Sequence, residues 1–335
     1  MTIQQLLDEK VLRIASLPPG NFSDIESVRS LSVPLIADDY PAKTAVMWNA
    51  AYKYIGMSDK NSMMVANPKD ATRIMEALRN DPKYCGGGAG IGWKEIVIPY
   101  LDEVTPLAKA MGAVNIIKKA EDGQLIGENT DGIGFAESLK SLFGQDWESS
   151  SKEILLLGAG GSGKAIAFAL GYFGAKVSIV NRTEEKAVLL AEAVNSFFGK
   201  ALAKGFGRDK IASLVPLADA IVSVIDDSSS PLDAYSTIGP MDLPVSPETV
   251  ERNLIESAKI LEGAKSSLIV SDIRIRKEKT PMLAQAEKLG FRVLDGIPMV
   301  VNQGVQAFSF LYNRTLRRRR VHPEGVRQIM RDAIQ

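Results

Sequence analysis

The 335-residue chain is 45% hydrophobic and carries 40 Lys+Arg against 40 Asp+Glu. That length suits two domains of roughly 100–200 residues each, and the balanced charge excludes a strong field for nucleic acid or an anionic membrane. A single cysteine, Cys85, excludes an intramolecular disulfide, and one Cys with one His (His322) argues against a zinc site, so no metal is expected. Cys85 and His322 are far apart in sequence, which suggests no local Cys–His nucleophile pair. The arginine run at 317–320, beside His322, reads as a solvated helix end. No apolar run approaches the ~20 residues that span a bilayer, and residues 1–10 lack the long apolar core of a signal peptide. The expectation is a cytoplasmic protein, monomeric or homodimeric, acting on a small molecule.

In chain order, residues 31–37 read as a strand, 44–55 as a helix with an apolar stripe, and 62–66 as a second strand. Pro68 opens a helix over 68–79. The glycine-rich stretch 86–92 runs into an expected helix over 94–101. Strands are expected over 113–117 and 125–129 around an Asp122-Gly123 turn. A helix over 132–143 is followed by a polar loop at 144–151. Then comes an apolar strand (153–157), a glycine loop (158–163), a helix (164–173) and a strand (176–180), which make a βαβ unit of a parallel sheet. Further strands are expected over 220–225, 267–273 and 291–294, with helices over 281–289 and 299–312.

Gly158-Ala159-Gly160-Gly161-Ser162-Gly163 fits G-x-G-x-x-G between a strand and a helix, the context that gives the motif meaning. Gly158 allows the tight turn, Gly160 lets backbone approach a pyrophosphate, and Gly163 allows close helix–strand packing. The helix start offers free N–H groups to phosphate. The next strand ends at Asn181-Arg182-Thr183, with no Asp or Glu for the ribose hydroxyls of NAD. Arg182, with Lys186 one turn on, favours a 2′-phosphate instead, so the expected cofactor is NADP. The expected cofactor-binding set is Gly158, Gly160, Gly161, Ser162, Gly163, Asn181, Arg182, Thr183, Lys186 and Gly296.

Four further segments occur in order: Gly112-Ala113-Val114-Asn115, the stretch from Asn129-Thr130-Asp131 to Phe135, Asn181-Arg182-Thr183, and Gln303-Gly304 with Ala307-Phe308. Together they resemble the shikimate dehydrogenase family, including its quinate-active relatives, over most of the chain. The resemblance implies an α/β fold of two domains. An N-terminal α/β substrate domain (1–130 and 299–335) would accompany a Rossmann-type NADP domain (131–298). The final helix would return to the first domain, and a cleft between the domains would hold substrate and nicotinamide. It implies reversible reduction of 3-dehydroshikimate to shikimate, or of a related ring ketone, in aromatic amino acid biosynthesis.

The family's catalytic Lys and Asp fall on Lys94 and Asp131. As hydride moves at carbon, a proton must move at oxygen, and a desolvated lysine can serve as that acid/base. Asp131 would hold the lysine and bond to a hydroxyl. Their alternatives are a helix-start lysine and a helix N-cap. Asn115 and Gln303 match amides that bind polyol hydroxyls; the alternative is amides satisfying backbone.

Departures cluster on the substrate side. The family's two carboxylate-binding hydroxyls fall on Ala42 and Thr44, so one is lost. Lys43 reads either as a point charge for the carboxylate or as a solvated lysine. The 34–42 loop is longer than the family's. The catalytic-loop Asn and Thr are Gly88 and Gly90, and a family Tyr is Ile275. The glycines either admit a larger substrate or let another side chain fill the space. Trp93 is a candidate pocket wall or a core aromatic. These changes keep open the same chemistry on quinate or another cyclic polyol, and a non-catalytic NADP-binding paralogue.

Overall fold

Prolines and glycines decide where the first part of the chain changes direction. The computed structural model describes residues 1–144, 147, 151–225 and 233–334. These form two units, Met1–Thr130 with Val300–Gln335, and Asp131–Met299.

The strands of the first unit are β1 (Leu12–Ile14), β2 (Leu31–Ser32), β3 (Leu35–Ile36), β4 (Lys60–Asn61), β5 (Met64–Ala66), β6 (Tyr84–Gly88), β7 (Glu103–Val104), β8 (Ile116–Lys119) and β9 (Leu125–Glu128). They make a three-stranded sheet, β1-β5-β3, and a six-stranded mixed sheet, β4-β2-β6-β8-β9-β7. The hairpin of β8 and β9 is antiparallel, and the expected Asp122-Gly123 turn closes it with Gly123 at φ 88°.

Three expectations need correction here. The strand expected over 31–37 is two short strands in two different sheets. Pro34 has no N–H to donate, and the chain changes sheets there: Val33 still donates to Gly86 O, whereas Leu35 pairs with Met64. Of the strand expected over 62–66 only β5 (Met64–Ala66) forms, and Lys60–Asn61 just before it is β4, a strand of the other sheet. The helix expected over 94–101 is a run of turns ending in the 3-10 turn Ile98–Tyr100. Pro99 removes a donor and disfavours the α region at Ile98.

The helix Thr44–Ile55 forms as expected. Trp48 and Tyr52 on its buried face meet Phe308 and Tyr312 of the helix Ile297–Arg319. That last helix runs well beyond the expected 299–312, with non-helical backbone at Tyr312 (φ −114°, ψ 17°). Arg319 caps the Thr44–Ile55 helix by donating to the Ile55 carbonyl, which gives the arginine run its helix-end role. His322 caps the helix Pro323–Asp332 by accepting from Glu324 N–H.

The second unit is a parallel six-stranded sheet of β10 (Glu153–Leu157), β11 (Lys176–Asn181), β12 (Ala203–Gly207), β13 (Ala220–Ser223), β14 (Ile269–Asp272) and β15 (Arg292–Leu294). Their spatial order is β12-β11-β10-β13-β14-β15. That is the doubly wound order in which β10 and β13 flank the topological switch point, where ligands bind beyond the carboxyl ends of the strands. The strands are apolar runs, buried as a parallel sheet covered on both faces requires. The expected polar loop at 144–151 lies largely outside the described residues. Among the described residues no helix is long and apolar enough to cross a membrane.

Candidate functional site

The glycine loop follows β10, and each glycine answers a separate steric demand. Gly158 has φ 116°, and a Cβ there would lie 2.9 Å from Val224 Cγ2. A Cβ on Gly163 would lie 2.3 Å from Gly158 O, so this glycine lets the helix Gly161–Tyr172 close on the turn. At Gly160 and Gly161 an added Cβ would meet nothing within 4 Å. Gly160 occupies the N-cap position without a side-chain cap, leaving the first N–H groups of this helix for a ligand.

Above the loop lies a cavity of about 470 Å³, contained within the second unit. Gly158, Gly160, Gly161 and Ser162 form its floor, and Asn181, Arg182, Thr183 and Lys186 line it from the end of β11. Asn181 Oδ1 accepts from Ala159 N–H at 3.3 Å, and its Nδ2 donates to Thr183 O at 3.0 Å, so this amide ties strand end to loop. No Asp or Glu lines the cavity among the described residues. A turn, free helix-start amides and cations at the second strand end suit a dinucleotide carrying an extra phosphate.

Six lining residues were not in the expected cofactor-binding set: Ala159, Val180, Arg208, Val224, Ile225 and Met241. Arg208 directly follows β12, and its Nη2 donates to Thr237 O (3.0 Å) and Gly239 O (2.8 Å). Burial lowers its pKa, yet a guanidinium stays charged. No local motif marks it; only the pairing of β12 beside β11 brings it here. Gly163 and Gly296 do not line the cavity. Gly296 is buried, and a Cβ there would lie 2.0 Å from Ile273 O, so its visible task is packing.

Asp131 is buried in the first turn of the helix Asp131–Phe143. The next residue, Gly132, has room for no Cβ: one would lie 2.1 Å from Ala165 O. The helix that Asp131 opens is thereby pressed against the helix that starts at the glycine loop.

In the first unit, Lys94 is half-buried and its carbonyl accepts from Val114 N–H at 2.8 Å. Ala89 N–H donates to Asn115 O at 2.9 Å, so the glycine stretch before Lys94 is tied to the same strand entry. The Asn115 amide clasps Thr130: Oδ1 accepts from Thr130 N–H at 2.9 Å and Nδ2 donates to Thr130 Oγ1 at 3.0 Å. Thr130 Oγ1 also lies 3.2 Å from Gln303 O. Asn115, Thr130 and Gln303 are therefore neighbours, and the two backbone bonds at Val114 and Asn115 connect them to the segment that carries Lys94. Among the described residues the Gln303 side-chain amide makes no hydrogen bond, nor do the side chains of Lys43 and Thr44 at the start of the Thr44–Ile55 helix.

The substrate-side departures acquire a physical reading. A Cβ on Gly90 would lie 2.7 Å from Ile36 Cγ2, 3.1 Å from Leu35 O and 3.7 Å from Tyr40 Oη. The space is filled by the 34–42 loop, not left open. At Gly88 a Cβ would find only contacts at 3.5 Å. Asp39 latches that loop. Desolvation raises its pKa, but hydrogen bonds from Ser16 N–H and Oγ, Leu17 N–H and Arg13 outweigh this and leave it well below the usual carboxylate range. Trp93 is fully buried with Nε1 donating to Ala66 O, which makes it a core aromatic. Asp272, three residues before Ile275, is spent on a fully buried pair with Arg274 at 2.7 Å.

A parallel sheet in this strand order, with such a cavity at its switch point, defines a dinucleotide-binding α/β protein with an appended second unit. The sequence model for the shikimate dehydrogenase substrate binding domain matches residues 41–117, and that for shikimate / quinate 5-dehydrogenase matches 138–232. Shikimate dehydrogenase (NADP(+)) of Desulfitobacterium hafniense strain Y51 is 32% identical over 79% of this chain and 86% of its own. That of Aquifex aeolicus strain VF5 is 34% identical over 81% and 87%. The structure of Thermus thermophilus shikimate 5-dehydrogenase in complex with NADP(H) and shikimate aligns with TM-score 0.66 at 25% identity, covering 91% of this chain and 99% of that one. The chain belongs to the shikimate dehydrogenase family.

Proposed function

We propose that this chain is an NADP-dependent oxidoreductase that interconverts 3-dehydroshikimate and shikimate, or a closely related ring ketone and alcohol. The observation that carries the reading is the cavity over the glycine loop, lined by Arg182 and Lys186 and, among the described residues, by no carboxylate. Gly158, Gly160, Gly161, Ser162 and the first-turn amides of the Gly161–Tyr172 helix would hold the pyrophosphate. Asn181, Arg182, Thr183 and Lys186 would hold the adenosine end with its 2′-phosphate. When bound, reduced NADP supplies the hydride.

The remaining chemistry falls to the protein. Lys94 donates a proton to the ketone oxygen as the carbon is reduced, and takes it back in the reverse direction. Its ammonium also stabilises alkoxide character at that oxygen. Asp131 orients the lysine and accepts from a ring hydroxyl. Asn115 and Gln303 hydrogen-bond to the polyol hydroxyls. Lys43 or Thr44 meets the carboxylate at the start of the Thr44–Ile55 helix, where free amides add to the attraction. The unit Met1–Thr130 with Val300–Gln335 thus binds substrate, and Asp131–Met299 binds cofactor.

The test is NADPH consumption with 3-dehydroshikimate, in wild type and in Lys94→Ala. Robust turnover in the first and loss by a factor on the order of 10² or more in the second support the reading. Equal turnover in both contradicts the role of Lys94. The filled space at Gly90 favours a second reading, the same chemistry on quinate or another cyclic polyol. A panel of ring ketones and alcohols with the same cofactor separates the two.

A further inference from the structure

We infer that Arg208 is a second guanidinium for the 2′-phosphate of the cofactor, paired with Arg182 across the ends of two adjacent strands. The inference rests on the NADP reading above and adds to it a specificity-determining residue that the sequence motif does not contain.

Register places the two arginines. In the parallel ladder Asn181 of β11 is opposite Gly207 of β12. Arg182 and Arg208 are each the next residue, so they leave neighbouring strands at the same level, one strand spacing of ~4.8 Å apart at the backbone. Both line the same cavity.

Arg208 is held in a built setting. Its two hydrogen bonds, both from Nη2, go to the carbonyls of Thr237 and Gly239. That acceptor segment is itself fixed by the buried Asn253, whose Nδ2 donates to Ser236 O (2.9 Å) and Pro240 O (2.7 Å). Gly239 is pressed against Asn253, with room for no Cβ (2.5 Å to Asn253 O). Asn253 lies on the helix Pro247–Glu262. An arginine anchored in this way has lost the side-chain freedom it would otherwise lose on gripping a ligand.

The charge is the second half of the argument. Among the described residues Arg208 is bound by neutral carbonyls only, and the adjacent Asp209 is engaged with Lys210 at 2.9 Å. Arg208, a half-buried cation with no carboxylate partner among the described residues, shares the cavity with Lys186 and Arg182, so an anion entering there meets more than one positive group. The two remaining edges of a planar guanidinium suit a phosphate. The pyrophosphate is served by the loop after β10, on the other side of β11 from β12, so the anion that β12 can serve is the one on the ribose.

The experiment is calorimetric binding of two probes to the full chain, adenosine 2′,5′-bisphosphate and adenosine 5′-monophosphate, which differ by the 2′-phosphate. Wild type is expected to bind the bisphosphate much more tightly. Arg208→Met is expected to lose about 10- to 100-fold in affinity for the bisphosphate while binding the monophosphate within about twofold of wild type. Arg208→Lys, which keeps the charge, is expected to fall between the two. Equal losses for both probes would mean that Arg208 only shapes the cavity, and no loss for either would mean that it is a bystander; both overturn the inference. If wild type itself fails to distinguish the probes, the NADP reading fails, and the role of Arg208 fails with it.

Discussion

Gly132 lies directly against Ala165: a single added carbon on the glycine would sit 2.1 Å from the Ala165 carbonyl oxygen. Gly132 follows Asp131, and Ala165 stands in the second turn of the helix that rises from the glycine loop. The contact therefore fixes the position of a proposed catalytic carboxylate relative to the proposed cofactor loop, inside one unit of the protein. Gly132→Ala is expected to push these helices apart, costing ~1–3 kcal/mol of stability, or several degrees of melting temperature. It should also lower kcat more than NADPH affinity. Calorimetric melting and steady-state kinetics check both effects.

Arg182 is expected to separate the two nicotinamide cofactors. Arg182→Ala should raise KM for NADPH about tenfold or more, the loss of a charge-assisted contact, and leave the weaker use of NADH little changed. Kinetics with each cofactor at saturating substrate measure the ratio.

The glycines before Lys94 differ in what they tolerate. Gly90→Ala should destabilise by ~1–3 kcal/mol through overpacking, because Ile36 Cγ2 and Leu35 O stand where the methyl group would go. Gly88→Ala meets only ordinary contact distances and should stay within about 0.5 kcal/mol of wild type. Denaturant midpoints compare them. Equal effects would contradict the filled-space account of the substrate side.

Cys85 is expected to be unreactive. Burial pushes its thiol up to about 11, and Tyr312 Oη lies 3.2 Å from its sulfur. A thiol raised in this way is protonated at neutral pH, so alkylation by iodoacetamide at pH 8 should be slow and leave activity intact. The same raised pKa has a consequence for stability. The unfolded chain releases this proton near 9.0 and the folded one near 11. The contribution is thus fully present below 9 and is lost as pH rises through that interval. Burial raises the nearby Tyr52 and Tyr312 too, in the same direction. Melting temperature should fall on going from pH 8 to 11.

The second unit was the more legible of the two in the sequence. The β10 strand, the glycine loop and β11 stand within a residue of where their patterns place them, because a parallel strand buried on both faces writes a continuous apolar run. The first unit was harder to read. Its strands are two to five residues long and switch sheets at Pro34 and between Asn61 and Met64, which periodicity over so short a span does not register. The run 94–101 reads as a helix in the sequence, and Pro99 makes it a chain of turns. In the site, the motif residues at the end of β11 were legible, whereas Arg208 was not. Its place depends on which strand lies beside β11, a tertiary fact that no local spacing carries. The role of Gly90 was likewise hidden, because the atoms that fill its space come from the loop some fifty residues earlier.

The most direct measurement is the rate of NADPH oxidation with 3-dehydroshikimate by wild type and Lys94→Ala at neutral pH. The account predicts steady turnover by wild type and a fall in kcat on the order of 10² or more in the variant, with the KM for NADPH unchanged. Undiminished turnover without the ammonium of Lys94, or none by wild type on any cyclic polyol or its ketone, would contradict it.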